Sequence, residues 1–274
     1  MTALYRLSTA LVFALLLAAP AAAQKFEPHV GQAGKDVIWV PTPDDVVNRM
    51  LTMAQVTPAD FVIDLGSGDG KIAIAAARSF GAGALGIEYN PDMVKLSQEN
   101  ARAAGVAEKA SFRRADIFAT DFTRASVVTM YLLPALNLKL RPQLLSMRPG
   151  TRVVSHSFTM EDWEADEISS VDGRRAYFWV VPVNVAGKWA LELPSQKSEL
   201  DFEQKFQKIQ GTVALGPVHA GLREPRLRGT DIYFSFVDAA GLHRDFAGRI
   251  SGGRMEGTFR DQKGAEGRWG ATKK

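Results

Sequence analysis

The stretch that decides the fold is FVIDLGSGDG, residues 61–70. Its first half is short, apolar and rich in β-branched side chains, which is typical of a buried strand. Glycines dominate the second half, and from Lys71 a run of alanine and isoleucine favours a helix. We therefore predict a strand, a sharp turn and a helix. In parallel α/β sheets, ligands bind next to such turns, at the carboxyl ends of the strands.

The glycine spacing limits which ligand this turn could hold. Gly66 and Gly68 allow the backbone to approach a ligand closely, because glycine has no Cβ. The third glycine of the dinucleotide fingerprint G-x-G-x-x-G would fall at position 71, where the chain has Lys71. Asp69, within the turn, would also repel a pyrophosphate. The pattern argues against a nicotinamide dehydrogenase and favours a cationic ligand without phosphate.

Acidic residues lie at the ends of three successive predicted strands. Asp64 is in the first strand, Glu88 ends the second and Asp116 follows the third. In nucleoside-binding α/β folds, an acid at the end of the second strand accepts hydrogen bonds from the ribose hydroxyls. Asp116 is placed to accept from the exocyclic amine of an adenine, with Ile117 against the ring. We expect the three carboxylates to share one groove.

The residues around this unit predict a doubly wound sheet. A helix is expected after Pro41-Thr42-Pro43, with Thr42 as its cap and Pro43 at its first position. Downstream, strands and helices alternate, which indicates right-handed crossovers and a mostly parallel sheet. We assign residues 36–182 to this Rossmann-like α/β domain.

Residues 187–274 have a different character. No long helical period remains, and short β segments alternate with turns rich in glycine, proline and aspartate. We predict a second, small antiparallel β domain, either a barrel or a sandwich. We find no catalytic motif in it.

The composition excludes several chemistries. The chain has no cysteine, which rules out disulfides, thiolate nucleophiles and cysteine-based zinc sites. Its four histidines lack the spacing of metal ligands, so we predict no metal site. The net charge of +3, without long runs of like charge, is not the pattern of a nucleic-acid-binding protein.

Residues 1–23 are typical of a secretory signal peptide. Their apolar run, residues 7–19, is shorter than the roughly 20 residues that span a bilayer. Pro20 and the small-residue site Ala21-Ala22-Ala23 follow it. We predict cleavage after Ala23 and export to the periplasm or the medium, with no stable membrane span left. An uncleaved membrane anchor is the alternative.

Together these motifs resemble those of class I, seven-strand S-adenosylmethionine-dependent methyltransferases. The resemblance covers residues 36–182 and rests on residues 64–70, 86–90 and 114–116. When residues 40–43 upstream and 139–163 downstream are included, the pattern is similar to that of a branch of this class. The branch contains mitochondrial protein-lysine methyltransferases and bacterial relatives. The resemblance implies S-adenosyl-L-methionine as the cofactor.

The resemblance also implies roles for individual residues. The methionine part of the cofactor is expected at Asp64, Gly66 and Gly68, the ribose at Glu88 and the adenine at Asp116, with Ser67 as a further cofactor-binding residue. Thr42 or its neighbours would close over the cofactor from the N-terminal side. Tyr131, in the fourth-strand segment TMYLLP (residues 129–134), is the candidate to line the methyl-transfer channel, with a core position as its alternative.

The implied reaction is in-line methyl transfer to an amine, which needs no strong base if the amine binds neutral. Residues 129–134 depart from the Asn/Asp-Pro-Pro-aromatic signature of many amino methyltransferases, so a protein and a small amine both stay open as acceptors. The rival interpretation is a non-catalytic envelope protein. It would bind a nucleoside or a partner protein, with its C-terminal β domain as the ligand-binding part.

Overall fold

The computed structural model describes residues 26–194 and 196–274, and the predicted signal peptide lies outside them. Between residues 44 and 180, the chain forms four helices and seven strands. In chain order they are α1 (Asp44–Met53), β1 (Phe61–Leu65), α2 (Lys71–Phe80), β2 (Gly83–Glu88), α3 (Pro91–Ala103), β3 (Ala110–Arg114), β4 (Val127–Met130), α4 (Pro134–Leu145), β5 (Arg152–His156), β6 (Glu167–Val171) and β7 (Arg174–Val180).

These strands form one sheet in the order β3-β2-β1-β4-β5-β7-β6. Strands β1 to β5 are parallel, whereas β7 is antiparallel to both β5 and β6. Side chains of β1 are buried on both faces, with Val62 in one apolar core and Ile63 and Leu65 in the other. The predicted doubly wound α/β fold is confirmed. The strand order reverses between β1 and β4, and this reversal opens a crevice at their carboxyl ends.

Two details of the prediction were wrong. Helix α1 is capped by Pro43, without a side-chain bond, and not by Thr42. The Thr42 hydroxyl is paired instead with the imidazole of His156. Strand β6 was not predicted from the sequence, because it is a polar edge strand whose side chains are only partly buried.

Helix α3, in contrast, begins where its sequence indicates, and the Asn90 side chain accepts a hydrogen bond from the backbone N–H of Asp92 at 2.9 Å.

Nine further strands make up a second, antiparallel sheet in the order β11-β10-β9-β8-β16-β15-β14-β13-β12. They are β8 (Gly187–Leu193), β9 (Gln196–Lys205), β10 (Lys208–Leu215), β11 (Val218–Gly221), β12 (Arg223–Arg228), β13 (Asp231–Val237), β14 (His243–Ser251), β15 (Arg254–Asp261) and β16 (Glu266–Lys273). Strand β12 approaches β10, so the sheet curls into a nearly closed barrel. The predicted small β domain is confirmed in its barrel form, while the exact division into domains stays a prediction.

Aromatic rings fill the barrel interior. Phe234 stacks on Phe246 with 4.9 Å between ring centroids, and Trp269 meets both rings edge-on. The turn between β9 and β10 contacts the connection between β5 and β6, where Phe206 packs against Trp163 and Gln207 donates to the carbonyl of Glu164. None of the described helices combines the length and the apolar character that crossing a bilayer requires.

A buried carboxylate ties three parallel strands together at the edge opposite the crevice. Asp60, just before β1, accepts from the backbone N–H of Thr57 at 2.8 Å and from the hydroxyl of Ser126 at 2.7 Å. It also forms an ion pair with Arg152 at the start of β5. Burial alone would raise the pKa of Asp60, but the bonds from Ser126, Thr57 and Arg152 outweigh it and hold that pKa below its ordinary value.

We expect Asp60→Asn to lower the free energy of unfolding by roughly 2–3 kcal/mol at pH 7, because it leaves Arg152 without its charge partner. A lowered pKa stabilises the fold above the unfolded value of about 4, and this contribution disappears as the pH falls through the folded value. Urea unfolding at several pH values measures both effects. The exposed Asp172→Asn variant, in the turn between β6 and β7, is the control, and a loss that does not shrink in acid would contradict the assignment.

Candidate functional site

A cavity of about 280 Å³ opens at the carboxyl ends of β1 to β4. This volume lies near the lower end of the roughly 300–1,000 Å³ typical of small-molecule sites. All eight residues predicted from the sequence line it: Thr42, Asp64, Gly66, Ser67, Gly68, Glu88, Asp116 and Tyr131. The structure therefore brings these residues together, while their individual roles stay predictions.

The glycine turn forms one wall of the cavity. The backbone N–H groups of Gly66 and Ser67 both donate to the carbonyl of Ile87 in β2, at 2.9 and 3.1 Å. Gly68 has φ +52°, and a Cβ there would lie 2.6 Å from the indole nitrogen of Trp39. The turn thus depends on glycine for both its backbone conformation and its packing.

Glu88 braces this turn from the end of β2. One of its carboxylate oxygens accepts from the backbone N–H of Gly68 at 3.0 Å. The other accepts from the N–H of Asn90 at 2.8 Å, next to the start of α3. These bonds fix the carboxylate at the cavity wall, and each oxygen retains a lone pair for a ligand hydroxyl.

Asp64 is the most deeply buried acid of the cavity, with 2% of its surface exposed. Burial raises its pKa to about 7, and the negative charges of Asp69 and Glu88 act in the same direction. A 2.7 Å bond from the Thr129 hydroxyl opposes this shift only partly. Near neutral pH the Asp64 carboxyl is therefore close to half protonated, and a nearby cation would favour its ionised form.

Asp116 already has a cationic partner. The ammonium of Lys35 donates to one oxygen of Asp116 at 2.7 Å, and the backbone N–H of Phe118 donates to the other at 2.9 Å. The Lys35 ammonium accordingly holds the pKa of Asp116 below its usual value. It also lies 4.9 Å from the ring centroid of Tyr89. Sequence reasoning missed Lys35, because a single lysine 81 residues before Asp116 has no local signal.

Residues 32–42, which we call the lid segment, all line the cavity. The segment doubles back on itself through a bridge between Ala33 and Ile38 and a 2.9 Å bond from Trp39 N–H to the carbonyl of Gln32. It also contacts helix α3, where the Gln32 amide donates to the sulfur of Met93. The sequence predicted closure near Thr42 but not the extent of this segment.

Tyr131 lies at the cavity wall and is only partly buried, so it is not a core residue. Its ring stacks on Phe158, with centroids 6.1 Å apart, and lies 4.0 Å from the ring of His156. An aromatic wall thus stands beside the acidic wall. Within the described residues, no group of three histidine, aspartate or glutamate side chains is arranged to hold a metal ion.

The side chains of the cavity fit a sulfonium nucleoside. Asp64, Asp69 and Glu88 supply negative charge next to the glycine turn, which suits an ammonium and a sulfonium. The hydroxyl of Ser67 is buried and lacks a hydrogen-bond partner among the described residues.

Comparisons with known proteins identify the family. The model of the ANTKMT methyltransferase domain matches residues 64–167. A protein-lysine N-methyltransferase of Saccharolobus islandicus is 43% identical over 54% of this chain and 88% of its own length. The adenine nucleotide translocase lysine N-methyltransferase of Mus musculus is 30% identical over 50% of this chain, and the match spans 56% of that protein.

A solved structure agrees with these sequence matches. An RNA methyltransferase from Salinibacter ruber, in complex with S-adenosyl-L-homocysteine, is 50% identical to this chain. It superposes with a TM-score of 0.52 over 53% of this chain and 96% of its own. The predicted cofactor and enzyme class are confirmed, and the non-catalytic alternative is not favoured. The chain belongs to the S-adenosylmethionine-dependent methyltransferases, in the branch that contains the protein-lysine methyltransferases.

Proposed function

We propose that this enzyme methylates the ε-amino group of a lysine in a polypeptide. The observation that carries the proposal is an apolar rim around an aromatic wall. Four of the exposed large apolar side chains border the cavity, namely Ile38, Val40, Tyr89 and Leu133, with exposures of 37–60%. Several exposed apolar side chains at one cavity are typical of an interaction site for a macromolecule, whereas a small free amine would not need them.

The charges of the cavity argue against an RNA acceptor. Two of the described lining residues are basic, Lys35 and Lys71. Lys35 is paired with Asp116, and Lys71 is paired with Asp44 at 3.0 Å. Binding of single-stranded nucleic acid relies on a groove of unpaired positive charge. A lysine side chain, with an apolar stem and one cationic end, suits this cavity better.

The proposed division of labour follows from the two walls. When bound, S-adenosyl-L-methionine supplies an activated methyl group. Asp64 and the glycine turn would hold its methionine part, Glu88 its ribose and Asp116 its adenine, with the lid segment excluding water. Tyr131 and Phe158 would pack on the stem of the acceptor lysine and orient its nitrogen. Their apolar surroundings would favour the neutral amine by desolvation, so orientation would supply much of the rate.

The compartment in which the enzyme acts stays a prediction from residues 1–23. If that leader is cleaved after Ala23, the acceptor is a protein of the cell envelope or the medium.

We expect the Kd for S-adenosyl-L-methionine to fall about fivefold between pH 6 and pH 7, as the Asp64 carboxyl ionises with its pKa of about 7. The sign follows from charge, because the carboxylate attracts the cationic ligand and the neutral acid does not. Calorimetry across this range measures the slope. Asp64→Asn should bind weakly without that slope, while Asp92→Asn, an exposed acid outside the cavity, should keep it. An equal slope in Asp64→Asn would refute the assignment.

We expect Lys35→Met to release the lid segment from Asp116. Both the association and the dissociation rates of the cofactor should rise about twofold to fivefold, the range of an exposed ion pair, with little change in Tm. Stopped-flow fluorescence of the five tryptophans, of which Trp39 lies in the lid segment, measures both rates. Asp36→Asn is the matched control, because it removes a charge that faces Lys35 at 3.8 Å within the lid segment and leaves Asp116 in place. Unaltered rates in Lys35→Met would show that the ion pair does not control the lid.

The acceptor proposal is tested with labelled cofactor and a synthetic peptide in which leucines flank one lysine. We expect label on the lysine nitrogen. Leu133→Asp should lower kcat/KM for this peptide about tenfold by introducing a charge into the apolar rim, and should leave the Kd for the cofactor unchanged. The control is Tyr233→Asp, which alters an equally exposed apolar residue on the barrel. Transfer to RNA, or to free amines alone, would contradict the proposal.

A further inference from the structure

We propose that His156 is a positioning residue that holds the lid segment closed and fixes the orientation of Tyr131. The cavity itself gives no role to this histidine, because His156 is not one of the lining residues and packs behind Tyr131, which is. The role in holding the lid segment closed requires only that the enzyme binds its cofactor, whatever the methyl acceptor is. The role at Tyr131 rests on the proposed function, in which Tyr131 orients the acceptor.

The geometry connects both functional walls through one imidazole. His156 ends β5 and is 2% exposed. Its Nδ1 lies 3.1 Å from the hydroxyl oxygen of Thr42, the last residue of the lid segment. The ring centroid is 4.0 Å from that of Tyr131, with 38° between the ring planes. The imidazole therefore touches both the end of the lid segment and the aromatic wall.

Stability alone does not favour a histidine at this place. Burial lowers the pKa of His156 to about 4, and the charge of Arg174 acts in the same direction, so the imidazole is neutral. Its Nε2 atom is buried and has no hydrogen-bond partner among the described residues. A buried polar atom without a partner is destabilising, whereas Thr42→Val together with His156→Leu would fill a similar volume and leave neither Nε2 nor a buried hydroxyl unpaired.

Two different parts of the imidazole would perform the two tasks. The bond at Nδ1 anchors Thr42 and fixes the ring plane. The face of the ring then supports Tyr131, whose own ring would otherwise tilt into the space behind it. The first task affects cofactor binding and the second affects methyl transfer, so suitable substitutions separate them.

The test compares four variants. His156→Leu should change Tm little, because it removes the unpaired Nε2 but also leaves the Thr42 hydroxyl without its partner. It should weaken cofactor binding about fivefold and lower kcat for the leucine-flanked lysine peptide about tenfold. His156→Asn places a polar atom near the position of Nδ1, so it should restore cofactor binding but not kcat. Thr42→Val should reproduce only the loss of binding. Val154→Ala, two residues away on the same face of β5, should lower Tm through its cavity and leave binding and kcat unchanged.

Cofactor binding in the double variant Thr42→Val/His156→Leu decides the lid role. We expect it to be no weaker than in either single variant, because both remove one shared bond. Losses of binding that add up in the double variant would overturn this role. A His156→Leu variant that lowers Tm but keeps Kd and kcat would overturn it too, because it would then behave like the purely structural variant Val154→Ala. If His156→Leu fails to fold, His156→Asn and Thr42→Val allow the same comparison.

A wild-type enzyme that binds the cofactor but methylates no peptide would refute the proposed function. The binding measurements on the single and double variants would still decide the lid role.

Discussion

The charge of the ligand that this site binds depends on the mutual repulsion of carboxylates, which the fold brings together around one glycine turn. Asp64 cannot escape burial, since it belongs to a parallel strand that is covered on both faces. Glu88 is held nearby because its oxygens satisfy two backbone N–H groups of the same crevice. Among the described residues, neither acid has a cationic side chain bonded to it. A positively charged ligand relieves this repulsion, so the fold itself selects the charge of its cofactor.

The cavity separates the two substrates by chemistry. Its acidic wall follows β1 and β2 and suits a charged, polar cofactor, whereas its aromatic wall follows β4 and β5 and suits an alkyl chain. The lid segment spans both. It reaches Asp116 through Lys35 at one end and β5 through Thr42 at the other. In the proposed mechanism, cofactor binding and the shape of the acceptor channel would be linked through this one stretch of chain, which would also exclude water.

The sequence predicted the features that have a local signal. The glycine spacing and the acids at successive strand ends are such features, because parallel strands bring their carboxyl ends to one edge. Lys35 and His156 were not predicted, since each acts on a partner 81 or 114 residues away and neither belongs to a periodic pattern. The choice between barrel and sandwich likewise depends on the approach of β12 to β10, which no single segment encodes. Thr42 was assigned as a cap because its type suits one, but its hydroxyl bonds to His156 instead.

The most direct test of this account is a crystal structure of the enzyme with S-adenosyl-L-homocysteine. We expect the ligand to lie across the ends of β1, β2 and β3, with its amino group near Asp64, its ribose hydroxyls on Glu88 and its adenine at Asp116. A ligand bound elsewhere, or one that leaves the three acids without contact, would contradict the central claim that these carboxylates select the cofactor.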